Sequence, residues 1–571
     1  MKKNVKLPIA ILATILALNL SACSLGTATS TVDSASTTTQ NSELSSQYFD
    51  SEDLDASYDS ASANKITLNG DSIEGTGITI DGTTATIANA GVYEISGTLT
   101  DGQIIVNSAA KGKVRIILNN ANISCSTNAP IFVQQSDKTI ITLPDGTKNT
   151  ISDGETYTLN SDDEPTACLF SNDNLAINGT GYLTVNAAYN DGISGKDDLK
   201  ISQANINITS ADDGIVGKDL LAIASATLTV HAQGDGLKSS SDSDTESGIL
   251  YIESGTFNID STDDSIHSNG TVSILDGTFN MSSGDDGIHA DNDVTIDGGS
   301  IAISKSNEGI EGSNITINAG DIDITASDDG INVAGDNDDS PTNENAEQNP
   351  SSDSSSHALG INGGNILVNA IGDGIDVNGS ATMTDGYVIV NGPTNSGNGA
   401  LDYDGTFDVT GGTICAFGST GMTMSPSRTS SVLSFSMTFD EIKSAGTTVS
   451  VNNSSGTEML SFTSEKDFQN VVIACADFEL DAEYTILSNN ETAVTFTPTE
   501  TVTYVTKDGI SENGAGMGGG MGGKRGQNGA VPSGEFPEGE RPSGERPSGE
   551  PPQDATDKEL PANETSSETT N

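Results

Sequence analysis

A short acidic motif that returns about every 22 residues constrains the fold of this chain more than any other feature. From the Gly of one motif to the Gly of the next, with Ser265 in that place once, the steps are 22, 22, 29, 22, 22, 21 and 44 residues. A fixed period of this length is typical of a solenoid in which each repeat forms one turn. The motifs are Asn190–Ile193, Asp212–Ile215, Gly234–Leu237, Asp263–Ile266, Asp285–Ile288, Asn307–Ile310, Asp328–Ile331 and Gly372–Ile375.

Apolar residues recur at fixed offsets from the motif Gly and predict two short strands in each repeat. Ile201 and Ile223 lie nine residues after it, and Ile208 and Val230 lie sixteen after it. A small residue between the two strands marks a bend. The pattern therefore predicts an all-β fold, a right-handed parallel β-helix of about 22 residues per coil, with an N-terminal cap and a small C-terminal β domain.

The first 23 residues have the composition of a targeting segment. Three lysines precede an apolar run that is too short to span a bilayer, which predicts a signal peptide over residues 1–23. The ending Leu20–Cys23 resembles a bacterial lipobox, which implies that Cys23 becomes a lipidated N-terminus. The chain would then be lipid-anchored on the extracellular face of the cell membrane. An ordinary secretory signal with a chance cysteine is the alternative.

Changes in composition and periodicity predict the other boundaries. The expected segments are a disordered Ser/Thr-rich tether over 24–63, an N-terminal cap with the first irregular coils over 64–168, the regular β-helix over 169–417 with a disordered insert at 336–356, a C-terminal β cap over 430–506 and a disordered Gly/Pro/Glu-rich tail over 507–571. We expect a monomer. Cys125 and Cys168 are about two coils apart, beyond disulfide reach, and are expected to be small buried residues.

The net charge of −58 argues against nucleic acid and anionic lipid as partners. Stacked coils would place the motif carboxylates about 4.8 Å apart, where two of them repel by roughly 3 kcal/mol. Bound cations would relieve this repulsion, and oxygen-only ligands favour Ca²⁺. Solvated turn-forming residues are the alternative. The candidate metal ligands are Asp191, Asp212, Asp213, Asp235, Asp263, Asp264, Asp285, Asp286, Glu308, Asp328, Asp329 and Asp373.

Two further pairs share a repeat position. Lys196 and Lys218 lie one coil apart and could supply the base of a Ca²⁺-dependent polysaccharide lyase. Pairing with the adjacent Asp197 and Asp219 is the favoured interpretation. His267 and His289 also share one offset, for which exposed polar stacking is favoured over a two-His metal site.

Four segments carry a resemblance to a known family: Gly91–Leu99, Lys113–Asn119, Leu175–Gly181 and Asp212–Asp219. In their order and their residue sequence they resemble the bacterial carbohydrate-binding β-helix proteins that bind cellulose and polygalacturonate, over roughly residues 65–505. The resemblance implies a secreted, surface-held protein with a pectate-lyase-like parallel β-helix, bound Ca²⁺ and affinity for acidic polysaccharides.

Three functions remain open at this point. The favoured one is a non-catalytic, Ca²⁺-dependent module that binds acidic plant-type glycans, with cellulose as a further candidate. The second is a pectate-type lyase that uses Lys196 or Lys218 as base. The third is a structural cell-surface adhesin or spacer. The absence of Trp argues against a flat stacking platform for neutral cellulose.

Overall fold

The computed structural model describes residues 48–159, 165–241, 248–334, 357–512 and 514. The predicted signal peptide 1–23 with Cys23, the insert 336–356 and residues 515–571 of the predicted tail lie outside the described residues, as do residues 24–47 of the predicted tether. A four-residue helix, α1, spans Ser51–Leu54. No helix among the described residues is long and apolar enough to cross a membrane.

Nearly all regular structure is β. Strands β1 to β10 are Asn64–Gly70, Ile73–Gly75, Thr79–Asp81, Thr84–Ile87, Gly91–Leu99, Gln103–Asn107, Lys113–Cys125, Ile131–Gln135, Lys138–Thr142 and Lys148–Asp153. Strands β11 to β23 are Ala167–Ser171, Leu175–Asn178, Tyr182–Ala187, Asp191–Gly195, Asp198–Ser202, Asn205–Ser210, Ile215–Gly217, Leu220–Ala232, Leu237–Ser239, Ile249–Ser261, Ile266–Ser268, Thr271–Ile274 and Thr278–Ser282. Strands β24 to β36 are Ile288–Ile296, Ser300–Ile303, Ile310–Ile317, Asp321–Ala326, Ile331–Val333, Ala358–Ile361, Asn365–Ala370, Ile375–Val377, Ser380–Met383, Tyr387–Asn391, Asp402–Tyr403, Phe407–Val409 and Thr413–Gly418. Strands β37 to β44 are Leu433–Lys443, Thr448–Asn453, Glu458–Thr463, Phe468–Cys475, Tyr484–Ser488, Glu491–Phe496, Val502–Thr506 and Gly509–Ser511.

The repeat of the sequence reappears as the register of a large, mostly parallel sheet. Ile193 of β14 lies opposite Ile215 of β17, and Ile215 lies opposite Leu237 of β19. The same order continues through Ile266 and Ile288. Like residues therefore lie beside like residues across the strands, and the predicted all-β architecture with a parallel sheet is confirmed.

These motif residues form the interior of the sheet structure. Ile193, Ile215, Leu237, Ile266 and Ile288 are all fully buried in one continuous core. Burial of each such side chain contributes about 1.5–3 kcal/mol to the hydrophobic stabilisation. The column holds the motif in register, and so it also sets the position of the carboxylate two residues earlier.

The bend between the two strands of a repeat requires unusual backbone angles. Gly299 and Gly320 adopt φ of 95° and 117° there, a region that suits Gly. Where Ala204 or Ala226 stands at the bend, the residue before it takes the positive φ instead, 60° at Gln203 and 55° at Ser225. The predicted bend therefore forms in both cases, but the residue that adopts the positive φ differs.

The expectation of a disordered tether up to residue 63 does not hold for residues 48–55. The buried Asp53 carboxylate forms an ion pair with Lys138, and its carbonyl oxygen accepts a hydrogen bond of 2.7 Å from Ser202 Oγ. Tyr48 packs on the ring of the buried Tyr251, with centroids 4.7 Å apart. This segment lies across the outside of strands far along the chain, contacts that local composition does not encode.

Strand β36 pairs in parallel with β33 on one side and antiparallel with β40 on the other. Within the segment predicted as a C-terminal cap, β40 pairs with β36 and places Ile414 opposite Ala474. Strands β38, β39, β41 and β42 form a separate four-stranded sheet. Cys125 and Cys168 are buried free thiols, as expected, and Cys415 and Cys475 are buried and free as well.

Candidate functional site

The carboxylate at the second position of each motif stands in one column, here called the acidic column: Asp191, Asp213, Asp235, Asp264, Asp286, Glu308, Asp329 and Asp373. Its members are linked through the backbone. The N–H of Asp235 donates to Asp213 Oδ1 at 2.8 Å, and the N–H of Asp264 donates to Asp235 Oδ1 at 3.0 Å. The same bond joins Asp286 to Asp264 at 2.8 Å. In each of these carboxylates, one oxygen therefore accepts a hydrogen bond from the backbone of the next repeat. The other oxygen can contact a different partner.

The first carboxylate of the motif is more exposed than the second. Asp212 and Asp263 are exposed, whereas Asp285 and Asp328 are half-buried. Burial and the charge of Asp213 raise the pKa of Asp212. These outer carboxylates add negative charge beside the acidic column without taking part in its backbone hydrogen bonds.

A second column, called the neighbouring column, runs in register beside the first: Val216, Lys238, His267, His289, Glu311, Asn332, Asp376 and Asp402. Lys238 Nζ lies 2.7 Å from Asp235 Oδ2 and 3.1 Å from Asp213 Oδ2. Asn332 Nδ2 donates to Glu308 Oε2 at 2.8 Å. The repulsion along the column is thus partly relieved by protein groups. Sequence reasoning missed this column, although six of its eight members stand two residues after a motif Gly and His267 stands two residues after Ser265.

In the middle of the acidic column, two histidines offset part of the negative charge, although burial and the neighbours Glu311, Asp264 and Glu308 raise the pKa of Asp286. His267 Nδ1 lies 2.7 Å from Asp264 Oδ2, and His289 Nδ1 lies 3.5 Å from the same oxygen. Although burial alone would raise it, hydrogen bonds from both imidazoles hold the pKa of Asp264 below its usual range. Burial opposes the charged imidazole, yet Asp264 and Glu311 raise the pKa of His289 to about 9. The two rings contact each other edge to face, with centroids 5.0 Å apart, as the expected stacking requires, but they are only partly exposed and both lie beside Asp264.

At the two ends of the acidic column, burial and neighbouring carboxylates raise pKa values as well. Burial, followed by the charges of Asp213 and Asp212, raises the pKa of Asp191 to about 8. At the other end, burial and the charge of Asp373 raise the pKa of Asp329 to about 8. Burial and the same neighbour raise the pKa of Asp376 to about 7. Bare carboxylates in these places repel one another, and a bound cation would remove that cost.

Two groups of oxygen ligands could hold such a cation. Their ligand atoms lie within 4.8 Å of one another in each group, Asp235 with Asp263 and Asp264, and Asp329 with Asp373 and Asp376. Oxygens bound to Ca²⁺ at 2.3–2.6 Å lie up to about 5 Å apart, so both groups fit this ion. Asp376 was missed by the sequence analysis.

Two further groups contain histidine: Asp264 with His267 and His289, and Asp286 with His289 and Glu311. Six of the predicted metal ligands fall in none of the four groups formed by the described residues: Asp191, Asp212, Asp213, Asp285, Glu308 and Asp328.

A groove of about 280 Å³ lies at the N-terminal end of the acidic column. It brings together Lys196, Lys218 and Lys238 with the carboxylates of Asp191 and Asp213. The expected ion pair between Lys218 and Asp219 is not among those that the described residues form. The groove therefore presents positive and negative groups side by side, and Lys238 joins the two lysines that the sequence singled out.

Tyrosines that could contact a sugar are mostly engaged in packing. Tyr251 is buried, and Tyr189 stacks on Tyr157 with centroids 4.0 Å apart. Tyr403 donates its hydroxyl to the carbonyl oxygen of Ser425 at 2.7 Å. Tyr182 and Tyr387, at 54% and 38% exposed, are more open. Most of these tyrosines are therefore packing residues.

The fold and these groups define an all-β repeat protein with acidic, cation-suited positions on one side of a parallel sheet. Residues 81–335 match the family model described as "Carbohydrate-binding domain-containing protein". The family resemblance expected from the sequence is therefore confirmed for this part of the chain.

Two relatives are similar to parts of the chain. A carbohydrate-binding domain-containing protein from Acetivibrio thermocellus is 36% identical over 143 residues, which are 25% of this chain and 49% of the relative. The chain thus spans about half the length of that curated relative. A solved structure of a polysaccharide lyase-like protein from C. thermocellum, a gadolinium derivative, is 31% identical and covers 45% of this chain and 96% of its own, with a TM-score of 0.38.

Proposed function

We propose that this chain is a non-catalytic, Ca²⁺-dependent carbohydrate-binding protein for acidic, polygalacturonate-like polysaccharides, with cellulose as a further candidate ligand. The observation that carries the proposal is the group of Asp329, Asp373 and Asp376, whose ligand oxygens lie within 4.8 Å of one another. Carboxylates this close favour a divalent cation over a bare state. The family match of residues 81–335 supports a carbohydrate as the partner.

The proposed scaffold is a right-handed parallel β-helix of about 22 residues per coil, and the register that sets Ile193 opposite Ile215 supports it. Each coil then adds one residue to the acidic column and one to the neighbouring column. A linear polysaccharide could lie along such a repeating array, because its own sugar units also repeat. The chain would be a monomer, held by lipidated Cys23 on the extracellular face of the membrane.

The carboxylates of the proposed Ca²⁺ positions are held in place by the backbone. The N–H of Asp373 donates to Asp329 Oδ1 at 2.5 Å, and the N–H of Asp264 donates to Asp235 Oδ1 at 3.0 Å. Ligands that are fixed before binding lose less conformational entropy when the ion arrives. Bound Ca²⁺ supplies positive charge that a uronate carboxylate and protein carboxylates can share.

The groove supports the choice of an acidic glycan. Lys196 and Lys218 are exposed lysines on its wall, one repeat apart. A uronate chain carries regularly spaced carboxylates, and surface lysines attract them at modest strength. The acidic residues of the same groove would repel the glycan unless a cation shields them, so Ca²⁺ and lysine contacts act together.

A Ca²⁺-dependent polysaccharide lyase is the second candidate, and the convergence of Lys196, Lys218 and Lys238 in one groove favours it. A lysine that removes a proton must first be neutral. Although burial opposes the charge, Asp235 and Asp213 raise the pKa of Lys238 and so favour its charged ammonium form. This electrostatic setting supports binding over turnover.

One assay separates these functions. The full chain is incubated with polygalacturonate and Ca²⁺, and both co-sedimentation and the ultraviolet absorbance of unsaturated product are followed. We expect binding without product. A steady increase in product that is lost in Lys218→Ala, but retained in the exposed control Lys305→Ala, would establish the lyase instead. If neither binding nor product is observed, the result supports the adhesin or spacer.

A further inference from the structure

We propose that Asp264, His267 and His289 form a binding site for a divalent transition-metal ion such as Zn²⁺ or Co²⁺. This site shares Asp264 with one of the two oxygen-only groups and is separate from the group of Asp329, Asp373 and Asp376. His267 of β21 and His289 of β24 are direct partners in the parallel register, so both imidazoles stand on one face. The ligand atoms of the three residues all lie within 4.8 Å of one another.

The geometry of the three ligand atoms suits a small ion. Asp264 Oδ2 lies 2.7 Å from His267 Nδ1 and 3.5 Å from His289 Nδ1, and the two ring centroids are 5.0 Å apart. Ligands bound to Zn²⁺ at 2.0–2.2 Å lie roughly 3.3–4.3 Å from one another. Small side-chain rotations bring the observed separations into that range. The side chains of His267 and His289 are 18% and 27% exposed, which leaves a path for the ion.

The donor set decides which kind of ion would bind. Imidazole nitrogen favours Zn²⁺, Co²⁺ and related metals, whereas Ca²⁺ prefers oxygen. Lys238 occupies the same column position one repeat earlier and provides only a fixed positive charge. The two histidines differ from it because each can lose its proton and offer a lone pair. Metal binding would therefore displace protons from the pair.

Nearby carboxylates would support this site. Asp291 Oδ1 lies 3.7 Å from His289 Nε2, the ring nitrogen that faces away from Asp264. A carboxylate behind a metal-binding imidazole orients the ring and increases its basicity. Asp286 Oδ2 and Glu311 Oε2 each lie 3.7 Å from His289 Nδ1 and offer further oxygen ligands. Asp291 acts here as a positioning residue.

The first test measures metal binding to the full chain in a large excess of Ca²⁺. Equilibrium dialysis with Zn²⁺ and the visible absorbance of Co²⁺ should both show one ion per chain that Ca²⁺ does not displace. His267→Gln and His289→Gln should each lower the affinity at least tenfold, and Asp291→Asn should lower it by about 10-fold or more. His231→Gln is the matched control, since this exposed histidine also lies beside a carboxylate, at 3.6 Å from Asp260.

A second measurement uses the parent chain alone and so does not depend on whether the variants fold. Diethylpyrocarbonate modifies accessible imidazoles, and mass spectrometry locates the products. Zn²⁺ should protect His267 and His289 at least tenfold while His231 reacts as before. The proposal is overturned if Ca²⁺ displaces the ion, if both glutamine variants bind Zn²⁺ like the parent chain, or if Zn²⁺ leaves the modification of the two histidines unchanged. None of these outcomes bears on the carbohydrate assay.

Discussion

The backbone N–H of Asp286 donates a hydrogen bond of 2.8 Å to Oδ1 of Asp264. The carboxylate of Asp264 thus joins two repeats through one oxygen, while its other oxygen meets His267 at 2.7 Å. The carboxylates of the acidic column are therefore not simply a store of negative charge for cations. They are structural acceptors that leave one oxygen available.

This double role predicts a graded loss of stability at Asp264. Asp264→Ala leaves the buried N–H of Asp286 without its acceptor, which costs about 1–3 kcal/mol of unfolding free energy. Asp264→Asn retains an oxygen at this place and should lose less. The exposed neighbour Asp263→Ala should change stability by no more than about 0.5 kcal/mol in Ca²⁺-free buffer. Urea unfolding measures all three, and equal losses for Ala and Asn would contradict the structural role.

The Ca²⁺-free chain should lose stability as the pH rises from about 4 to about 8. Burial and neighbouring carboxylates raise the pKa values of Asp373, Asp376 and Asp329 to about 6, 7 and 8, above the unfolded value near 4. The folded state therefore binds protons more tightly, and this contribution is present at low pH and lost as each group ionises.

The pKa of His289, about 9 and also raised, acts in the same direction at higher pH. Asp264, whose pKa is lowered, acts oppositely, but only below about pH 4. Thermal unfolding as a function of pH, with and without Ca²⁺, measures the effect. A stability that is flat from pH 4 to 8 without Ca²⁺ would contradict the uncompensated carboxylates.

The groove predicts a salt-sensitive loss of glycan affinity in Lys218→Ala. Removal of one exposed charge contact should weaken polygalacturonate binding by about 0.2–1 kcal/mol, with the difference shrinking as salt increases. Lys305→Ala, an exposed lysine outside the groove, should bind like the parent chain. Titration calorimetry at two salt concentrations tests this, and identical losses in both variants would remove the groove from the binding surface.

The proposed lipid anchor at Cys23 predicts that loss of this cysteine changes where the protein is found. Cys23→Ala removes the residue that would be lipidated, and the protein should move from the membrane fraction to the medium. Cys125→Ala is a suitable control, because this cysteine is buried in the fold. Immunoblots of both fractions give the answer, and full retention of the Cys23→Ala chain in membranes would contradict a lipid anchor.

Most of the fold could be predicted from the repeat. A buried Ile or Leu at the end of every motif sets the parallel register, so the neighbours of Ile215 could be predicted from spacing alone. The position of the acidic column follows from the same register. The identity of its partners did not, because the residue at this offset changes type from one repeat to the next, as from Lys238 to His267 and Glu311.

Other features could not be read from periodicity. Residues 48–55 carry no repeat, and Asp53 finds Lys138 and Ser202 at sequence distances that no local pattern signals. Asp376 stands at the regular offset of the neighbouring column, but the approach of its carboxylate to those of Asp329 and Asp373, within 4.8 Å, depends on side-chain positions that spacing does not give. Long-range side-chain contacts of this kind depend on three-dimensional packing, which composition and spacing constrain only in part.

The most direct test of the account is the Ca²⁺ dependence of polygalacturonate binding by the full chain. Titration calorimetry is performed on the parent chain with Ca²⁺ and with chelator. The variant Asp376→Asn and the exposed control Asp321→Asn are then measured with Ca²⁺. We expect binding with Ca²⁺, none with chelator, and an affinity reduced at least tenfold in Asp376→Asn alone. Equal binding with Ca²⁺ and with chelator would contradict the central claim.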